Sequence, residues 1–593
     1  MNPKALFERL LDWQRKHIEQ KYFVLILAVL VGLTSGLAAV LLKNSVHFIH
    51  EALTIGFAQE YHNYLYFFYP LIGILISVWL VKRFFFGKWV GHGVPNVLYA
   101  ISKQQSMIKR FRMFNSFFTS AITVGFGGST GLEGPTVGTS ASIASNIGRW
   151  FKVSYKTRTL LLGCAAAGAL ASIFNAPIAA IIFALEVIML DLTTASLIPL
   201  LLASVSAALT SRLFLGDDVL FHFKNLDKFS ISDLPFFILL GIVSGVVSVY
   251  FCKMFFRIME FSEKKKKKLP KAIVSGLLLG ALIFLFPSLY GEGYELINAL
   301  VKGNFQKIVH DSLFYGFREN IPIILLILTV TMLLKVVATS LTIGSGGVGG
   351  IFAPSLFTGS IMGFSFAKLL NHYGIATLSE SNFTLVGMAG LMAGILRAPL
   401  TAIFLIAEIT GGYELFIPLM VTASIAFLTG KYFMPHSIYT TQLAKRGELI
   451  THDKDQAVLT LMSLKKEIET DFMAVNVEGK LGDLVRTVTE SKRNIFPVTD
   501  AEGKFYGVVL LDDIRDIMFL RHKYDETTVL ELLHVAPAEI SPDETMDSVM
   551  KKFEETGAWN LPVVENGKYK GFVSKSKLFN AYRSMLKEFY EEN

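Results

Sequence analysis

GALASIFNAPIAAIIFALE, residues 168–186, and GLMAGILRAPLTAIFLIAE, residues 390–408, are two versions of one stretch, with glycine, alanine-proline and the final glutamate coinciding. The prolines, Pro177 and Pro399, lie 222 residues apart, and a second pair of motifs upstream, GLEGP ending at Pro135 and GIFAP ending at Pro354, has nearly the same offset. A period this long, carried by apolar segments, makes the surrounding sequence two related halves of one body. From about Tyr22 to Tyr432 one hydrophobic segment follows another, and from about Lys445 charged residues return at the density of a soluble domain. The chain has 593 residues, of which 52% are hydrophobic, which is too apolar for a string of soluble domains and points to a polytopic membrane protein.

The boundaries follow from these shifts. Residues 1–21 form a charged amphipathic N-terminal segment without the short apolar core or cleavage site of a signal peptide. Residues 22–445 form the membrane body, with halves at about 22–216 and 235–445; 446–470 is a linker. Basic residues between Lys82 and Arg112 and the run Lys264 to Lys268 sit in short connections, which assigns them and both termini to the cytoplasmic side. The net charge of +8 reads as this topology signal rather than as a nucleic-acid surface, because no basic and aromatic platform accompanies it. Cys164 and Cys252 lie in apolar segments, far from any metal-ligand pattern, and read as packing residues.

Three stretches are wrong for simple spans: GHGVP (91–95), GFGGSTGLEGP (125–135) and IGSGGVGGIFAP (343–354). In lipid, irregular backbone persists only where it is buried or lines a cavity, and broken segments at corresponding places in two halves point to a midplane binding site. Each loop precedes an apolar helix and so presents unpaired N–H groups and part of a positive charge. Several such helix starts meeting at one point make an anion site. Partial charges bind an ion and also release it, as conduction requires. The loops carry no acidic cluster for a cation, and no metal is expected. Glu133, a bare carboxylate among glycines, fits such a site as a surrogate anion that swings out or protonates, which makes it a gate.

At these residues the sequence resembles the CLC family of chloride channels and chloride/proton exchangers. GHGVP is similar to the family's GSGIP, GLEGP to GREGP, GGIFAP to GxFxP, and SIYTTQLAKRG to the segment whose tyrosine touches the central anion. The resemblance implies an all-α CLC fold of two inverted repeats with broken helices, assembled as a homodimer with one pore per subunit. It implies that Glu133 is the external gate and that His92, Gly93, Gly131, Gly134, Ile351, Phe352 and Tyr439 surround chloride, with Ile351 and Phe352 offering amides and Tyr439 a hydroxyl. Leu132 stands where the family usually has arginine, and His92 where it has serine; an imidazole there is a donor sensitive to pH near neutrality. The gate motif and the tyrosine are kept, unlike in fluoride exchangers.

Val187 stands where exchangers carry the internal proton-accepting glutamate, and Asn96 and Leu98 also replace positions that are often carboxylates. Protons crossing a membrane need ionisable stations, so these residues favour a passive, gated chloride channel. The alternative is a chloride/proton antiporter whose proton route bypasses Val187, with Glu186 or His92 as relay. A third reading, from a different class, is a membrane-anchored sensor acting through its tail. No nucleophile, metal cluster or phosphate-cradling lysine loop suggests an enzyme.

The tail repeats with a period of 65 residues, set by Pro497 and Pro562 in NIFPVTDAEGKFYGVVLLDDI and NLPVVENGKYKGFVSKSKLF. Each copy reads as a small α/β unit. The pair, 471–530 and 531–593, resembles tandem CBS domains, which often bind adenine nucleotides through a hydroxyl and an acid. The first copy has Leu510 with Asp513, and the second Ser574 with Lys577, so each nucleotide pattern is half complete. No cofactor is expected other than an adenine nucleotide on this pair, and chloride is the substrate. The host is a plasma membrane or a bacterial inner membrane.

Overall fold

The computed structural model describes residues 16–54, 57–85, 93–188, 194–216, 227–264, 268–306, 314–317, 319–441 and 462–590, with 444 and 459. His92 lies outside them. The chain divides into two compact units, Met1–Leu449 and Ile450–Asn593.

The first unit is helical. Its elements are α1 (Gln20–Thr54), α2 (Phe57–Phe84), α3 (Gly93–Lys103), α4 (Phe111–Gly125), α5 (Glu133–Trp150), α6 (Tyr155–Phe174), α7 (Pro177–Phe183) and α8 (Thr194–Leu215). They continue with α9 (Leu234–Lys264), α10 (Lys268–Leu285), α11 (Tyr294–Val301), α12 (Ile321–Ser345), α13 (Phe352–His372), α14 (Glu380–Leu396), α15 (Pro399–Ile409) and α16 (Phe416–Phe433). Among the described residues, seven helices are long and apolar enough to cross a membrane, while α3, α7, α11 and α15 are too short. Large apolar side chains such as Trp79, Leu213 and Tyr432 point outward, as lipid permits. Inside, hydroxyls close locally on the turn before them: Ser120 donates to the Ser116 carbonyl at 2.7 Å and Thr136 to that of Leu132 at 2.8 Å. Both cysteines are buried in the packing.

The repeat read in the sequence is a repeat of backbone conformation. Asn175 and Arg397 end α6 and α14 in the left-handed region, at φ 53° and 60°. The alanine after each is bent alike, at φ −126° and −129°, and each proline then starts the next helix. The two halves also meet as equals. Glu186, in the single π-turn Ala184–Ile188 that ends α7, accepts the Leu400 and Thr401 amides of α15 at 3.1 and 2.8 Å. Glu408 at the end of α15 accepts the Ile178 and Ala179 amides of α7 at 3.0 and 2.8 Å. Equivalent groups trading places in this way indicate a two-fold relation between the halves, as in transporter folds built from internal repeats.

Both Glu186 carboxylate oxygens are held by the start of α15, with the Thr401 hydroxyl as a third donor at 2.7 Å, so the residue expected as a candidate relay also caps a helix of the other half. Helix starts buried without water need such partners. Glu186→Ala should therefore lower the thermal stability of the purified protein by the equivalent of about 1–2 kcal/mol. Glu186→Gln, which keeps an acceptor, should lower it less; a melting series in detergent checks both.

In the second unit, β1 (Val475–Asn476) runs parallel to β2 (Ile495–Thr499), which pairs antiparallel with β3 (Phe505–Leu510); β4 (Asn560–Glu565) pairs antiparallel with β5 (Lys568–Ser574). The tight turn between β4 and β5 has Asn566 and Gly567 at positive φ, as such hairpins require. Helix α17 (Leu481–Glu490) precedes the first hairpin, α18 (Met546–Thr556) precedes the second, and α19 (Lys575–Tyr590) follows it. The Arg493 guanidinium lies over the Phe472 ring and pairs with Glu469 and Asp471. That hydrogen bond holds the Asp471 carboxyl below its ordinary range.

Candidate anion site

Three of the broken stretches converge. Gly131 and Gly350, equivalent residues of the two halves, form an antiparallel bridge, with amide-to-carbonyl distances of 3.0 and 2.7 Å in the two directions. This bridge fixes the starts of α5 and α13 side by side, because Leu132 and Ile351 are the residues that cap them. Neither cap offers a side-chain hydrogen bond, which leaves the first amides of both helices without a capping side chain from Leu132 or Ile351. The start of α3 closes in from a third direction: a methyl group on Gly93 would lie 1.7 Å from the Gly134 carbonyl oxygen.

Between these starts lies a cavity of about 20 Å³, lined by Gly93, Val94, Pro95, Gly134, Phe255, Gly349, Gly350, Ile351, Ile438 and Tyr439. That is room for one water-sized particle. Among the described residues its wall contains no formal charge; its polarity comes from backbone and the Tyr439 hydroxyl. Of the expected chloride-binding residues, Gly93, Gly134, Ile351 and Tyr439 line the cavity. Gly131 contributes the bridge, and Phe352, expected to offer its amide, opens α13 with its ring packed on Phe174 at 5.2 Å between centroids. Tyr439 is held by its neighbours: the Ile438 amide reaches the Ile395 carbonyl at 3.3 Å, and the Arg397 guanidinium joins the end of α14 to the Met434 carbonyl at 2.8 Å.

Glu133 is 2% exposed. One carboxylate oxygen accepts the Tyr294 hydroxyl. The other folds over Gly131, where a methyl group would meet it at 2.1 Å, and beside the Ala353 methyl at the start of α13. Gly131 is thus required by this close approach. The carboxylate lies at the starts of α5 and α13, between Gly131 and Ala353.

Tyr294, Glu292 and Lys335 were not singled out in the sequence. Glu292 and Tyr294 belong to YGEGYE (290–295), a carboxylate between glycines as in GLEGP, and that pattern was the available signal. Lys335 lies within an apolar helix, where one cation is itself a functional mark. Leu132, at the position of the absent arginine, is buried, and its amide donates to Glu292 at 3.0 Å. Val187 packs half-buried on the main core.

In the tail, Asp513 accepts the Leu510 amide at 3.3 Å and pairs with His534 at 2.9 Å. The Ser574 hydroxyl donates to Glu469 at 2.5 Å. Both groups expected for a nucleotide are engaged within the module.

The family model for voltage gated chloride channels matches residues 72–431, and that for the CBS domain matches 466–519 and 531–584. The H(+)/Cl(-) exchange transporter ClcA of Vibrio cholerae is 30% identical over 438 residues, covering 71% of this chain and 89% of that protein. The putative chloride channel protein ClcB-like of Ralstonia nicotianae is 28% identical over 369 residues, covering 61% and 82%. Among solved structures, a eukaryotic CLC transporter superposes with a TM-score of 0.62 at 20% identity, covering 94% of this chain and 99% of that one. A slow cyanobacterial Cl-/H+ antiporter gives 0.61 at 24%, covering 72% and 98%. These helix starts, this gate position and these matches together place the chain in the CLC family of anion channels and transporters, with two CBS domains behind its membrane body.

Proposed function

We propose that this protein is a chloride/proton exchanger in which Glu133 alternates between anion surrogate and proton carrier. The observation that carries the reading is the position of the Glu133 carboxylate, seated at the start of α13 and accepting the Tyr294 hydroxyl. A carboxylate in that position leaves when it takes up a proton, since the neutral acid no longer competes for the helix starts. Chloride then enters, so anion and proton movements are linked through one group.

This reading takes the exchanger over the passive channel that Val187 favours. Relatives such as that of Vibrio cholerae bear the name of exchange transporters, and their likeness spans most of their length. Val187 removes one ionisable station, so the exchange reading takes a proton route that bypasses it. The name of the Ralstonia nicotianae relative keeps the channel as the second reading. On either reading the protein is a homodimer in a plasma membrane or bacterial inner membrane with both termini cytoplasmic, the orientation set by its basic connections. The CBS pair serves as a regulatory or dimer-stabilising module, with nucleotide binding secondary because Asp513 and Ser574 are occupied.

The test is proton movement in liposomes holding the purified full chain, with a chloride gradient and no initial pH difference. Exchange predicts that chloride leaving the vesicles drives protons inward against their own gradient. A chloride flux that leaves external pH unchanged, with a proton ionophore absent, would refute exchange.

A further inference from the structure

On the Tyr294 side of the gate lies a second cavity of about 730 Å³, lined in part by His50, Tyr290, Glu292, Tyr294 and Glu295. Glu133 itself is buried, and Tyr294, which holds it, faces this cavity. Glu292 faces it too, one hydrogen bond from Leu132, the residue before the gate. Two carboxylates from different halves therefore flank one backbone position, one inside the anion path and one beside the cavity.

The loop that carries Glu292 is anchored on both sides. The Gly291 amide donates to the Gly127 carbonyl at 3.3 Å, which ties it to the first half. The Lys335 ammonium, fully buried over the Phe357 ring, donates to the Gly291 carbonyl at 3.0 Å. Gly293 sits at φ 90° with the Phe357 ring so near that a methyl group would lie 2.5 Å from it. Such anchoring is more than a surface connection needs, and its effect is to hold one acid at a fixed place beside the gate.

We propose that Glu292 is the residue that passes protons between this cavity and Glu133. A proton moves from cavity water to a Glu292 oxygen. It then moves from Glu292 to a Glu133 oxygen as the gate swings out, and Glu292 returns to the carboxylate. No group is oxidised or reduced. The charged and titratable groups that face Glu292 are Glu133, Tyr294, Lys335 and, from α1, Lys43. Across the cavity stand His50, Tyr290 and Glu295. Glu133 is buried and Glu292 is half-buried on the cavity wall, and each lies at the Leu132–Glu133 step of the backbone, so one acid stands on either side of the gate. The Leu132 amide donates to Glu292, and Lys335 holds the neighbouring Gly291 carbonyl, so both fix where the Glu292 carboxylate stands.

The proposal rests on the exchange reading, and the test separates the two. Chloride-driven proton uptake and chloride efflux are measured on the same liposomes for the natural protein, Glu292→Gln and Glu292→Asp. The expected result is that Glu292→Gln lowers the ratio of proton to chloride flux by about 100-fold, while Glu292→Asp restores most of it. An unchanged ratio in Glu292→Gln would overturn the proposal and leave exchange standing. Loss of both fluxes in Glu292→Gln without recovery in Glu292→Asp would also overturn it, making Glu292 a loop anchor. Absence of proton uptake in the natural protein would remove the exchange reading and the proposal together.

Discussion

Glu133→Ala is expected to uncouple the protein: chloride efflux persists, proton uptake falls by about 100-fold or more, and chloride flux stops responding to pH. On the exchange reading proposed above, one carboxylate performs two tasks in one place. Its oxygen lies over Gly131 at the helix starts, and removing it opens that position to chloride. Its proton is the one that crosses with the gate, so removing it leaves Tyr294 donating to nothing that can carry a proton onward. Glu133→Gln imitates the protonated form and should give the same loss of proton flux, with a side chain still large enough to slow chloride. Liposome flux of both ions across a pH series of about 4 to 8 covers the ordinary carboxylate and imidazole ranges. A pH dependence that survives in Glu133→Ala would mean that another group controls the gate.

The second large effect belongs to Gly93. The start of α3 approaches the start of α5 so closely that any side chain at 93 would meet the Gly134 carbonyl at 1.7 Å, with the Gly134 carbonyl carbon at 2.4 Å. Both are backbone atoms of a helix pinned by the Gly131–Gly350 bridge, so neither yields as a side chain would. Overpacking of a core ordinarily costs about 1–3 kcal/mol, and here the strain falls on the wall of the anion cavity. Gly93→Ala should reduce chloride flux per folded protein by about 100-fold, the equivalent of about 3 kcal/mol, and should lower the melting temperature. Gly412→Ala is the control: no atom lies within 4 Å of the added methyl, and both quantities should stay as they were.

The fold was legible because the sequence states its symmetry. The matched stretches at 168–186 and 390–408 reappear as paired left-handed turns, paired proline starts and caps exchanged between the halves. The helix starts of the site were legible for the same reason, since glycine and proline mark where backbone approaches backbone. The role of Glu186 was not legible. Its partners, the amides of Leu400 and Thr401, lie more than 200 residues away, and the sequence does not say that α7 and α15 pack end to end. The same distance hid Glu292 and Lys335. Each belongs to the second half, yet they support a gate in the first, and a lone acid or lysine carries no mark of its partner across the fold.

Leu132 shows the two kinds of reading together. The sequence shows an apolar residue at a position where a charge is expected, and the structure shows that residue buried with its amide given to Glu292. Lys335 supplies a buried cation on the opposite side of the same loop. The electrostatic surroundings of the gate are therefore built from the second half.

The most direct test of the account is the reversal potential of the purified protein in a planar bilayer, under a chloride gradient with and without an opposing pH gradient. Exchange through Glu133 predicts a potential displaced from the chloride equilibrium value that moves systematically when pH is changed on one side, with Glu133→Ala returning it to the chloride value. A potential in the natural protein that follows chloride alone at every pH would contradict the account and make this protein a passive chloride channel.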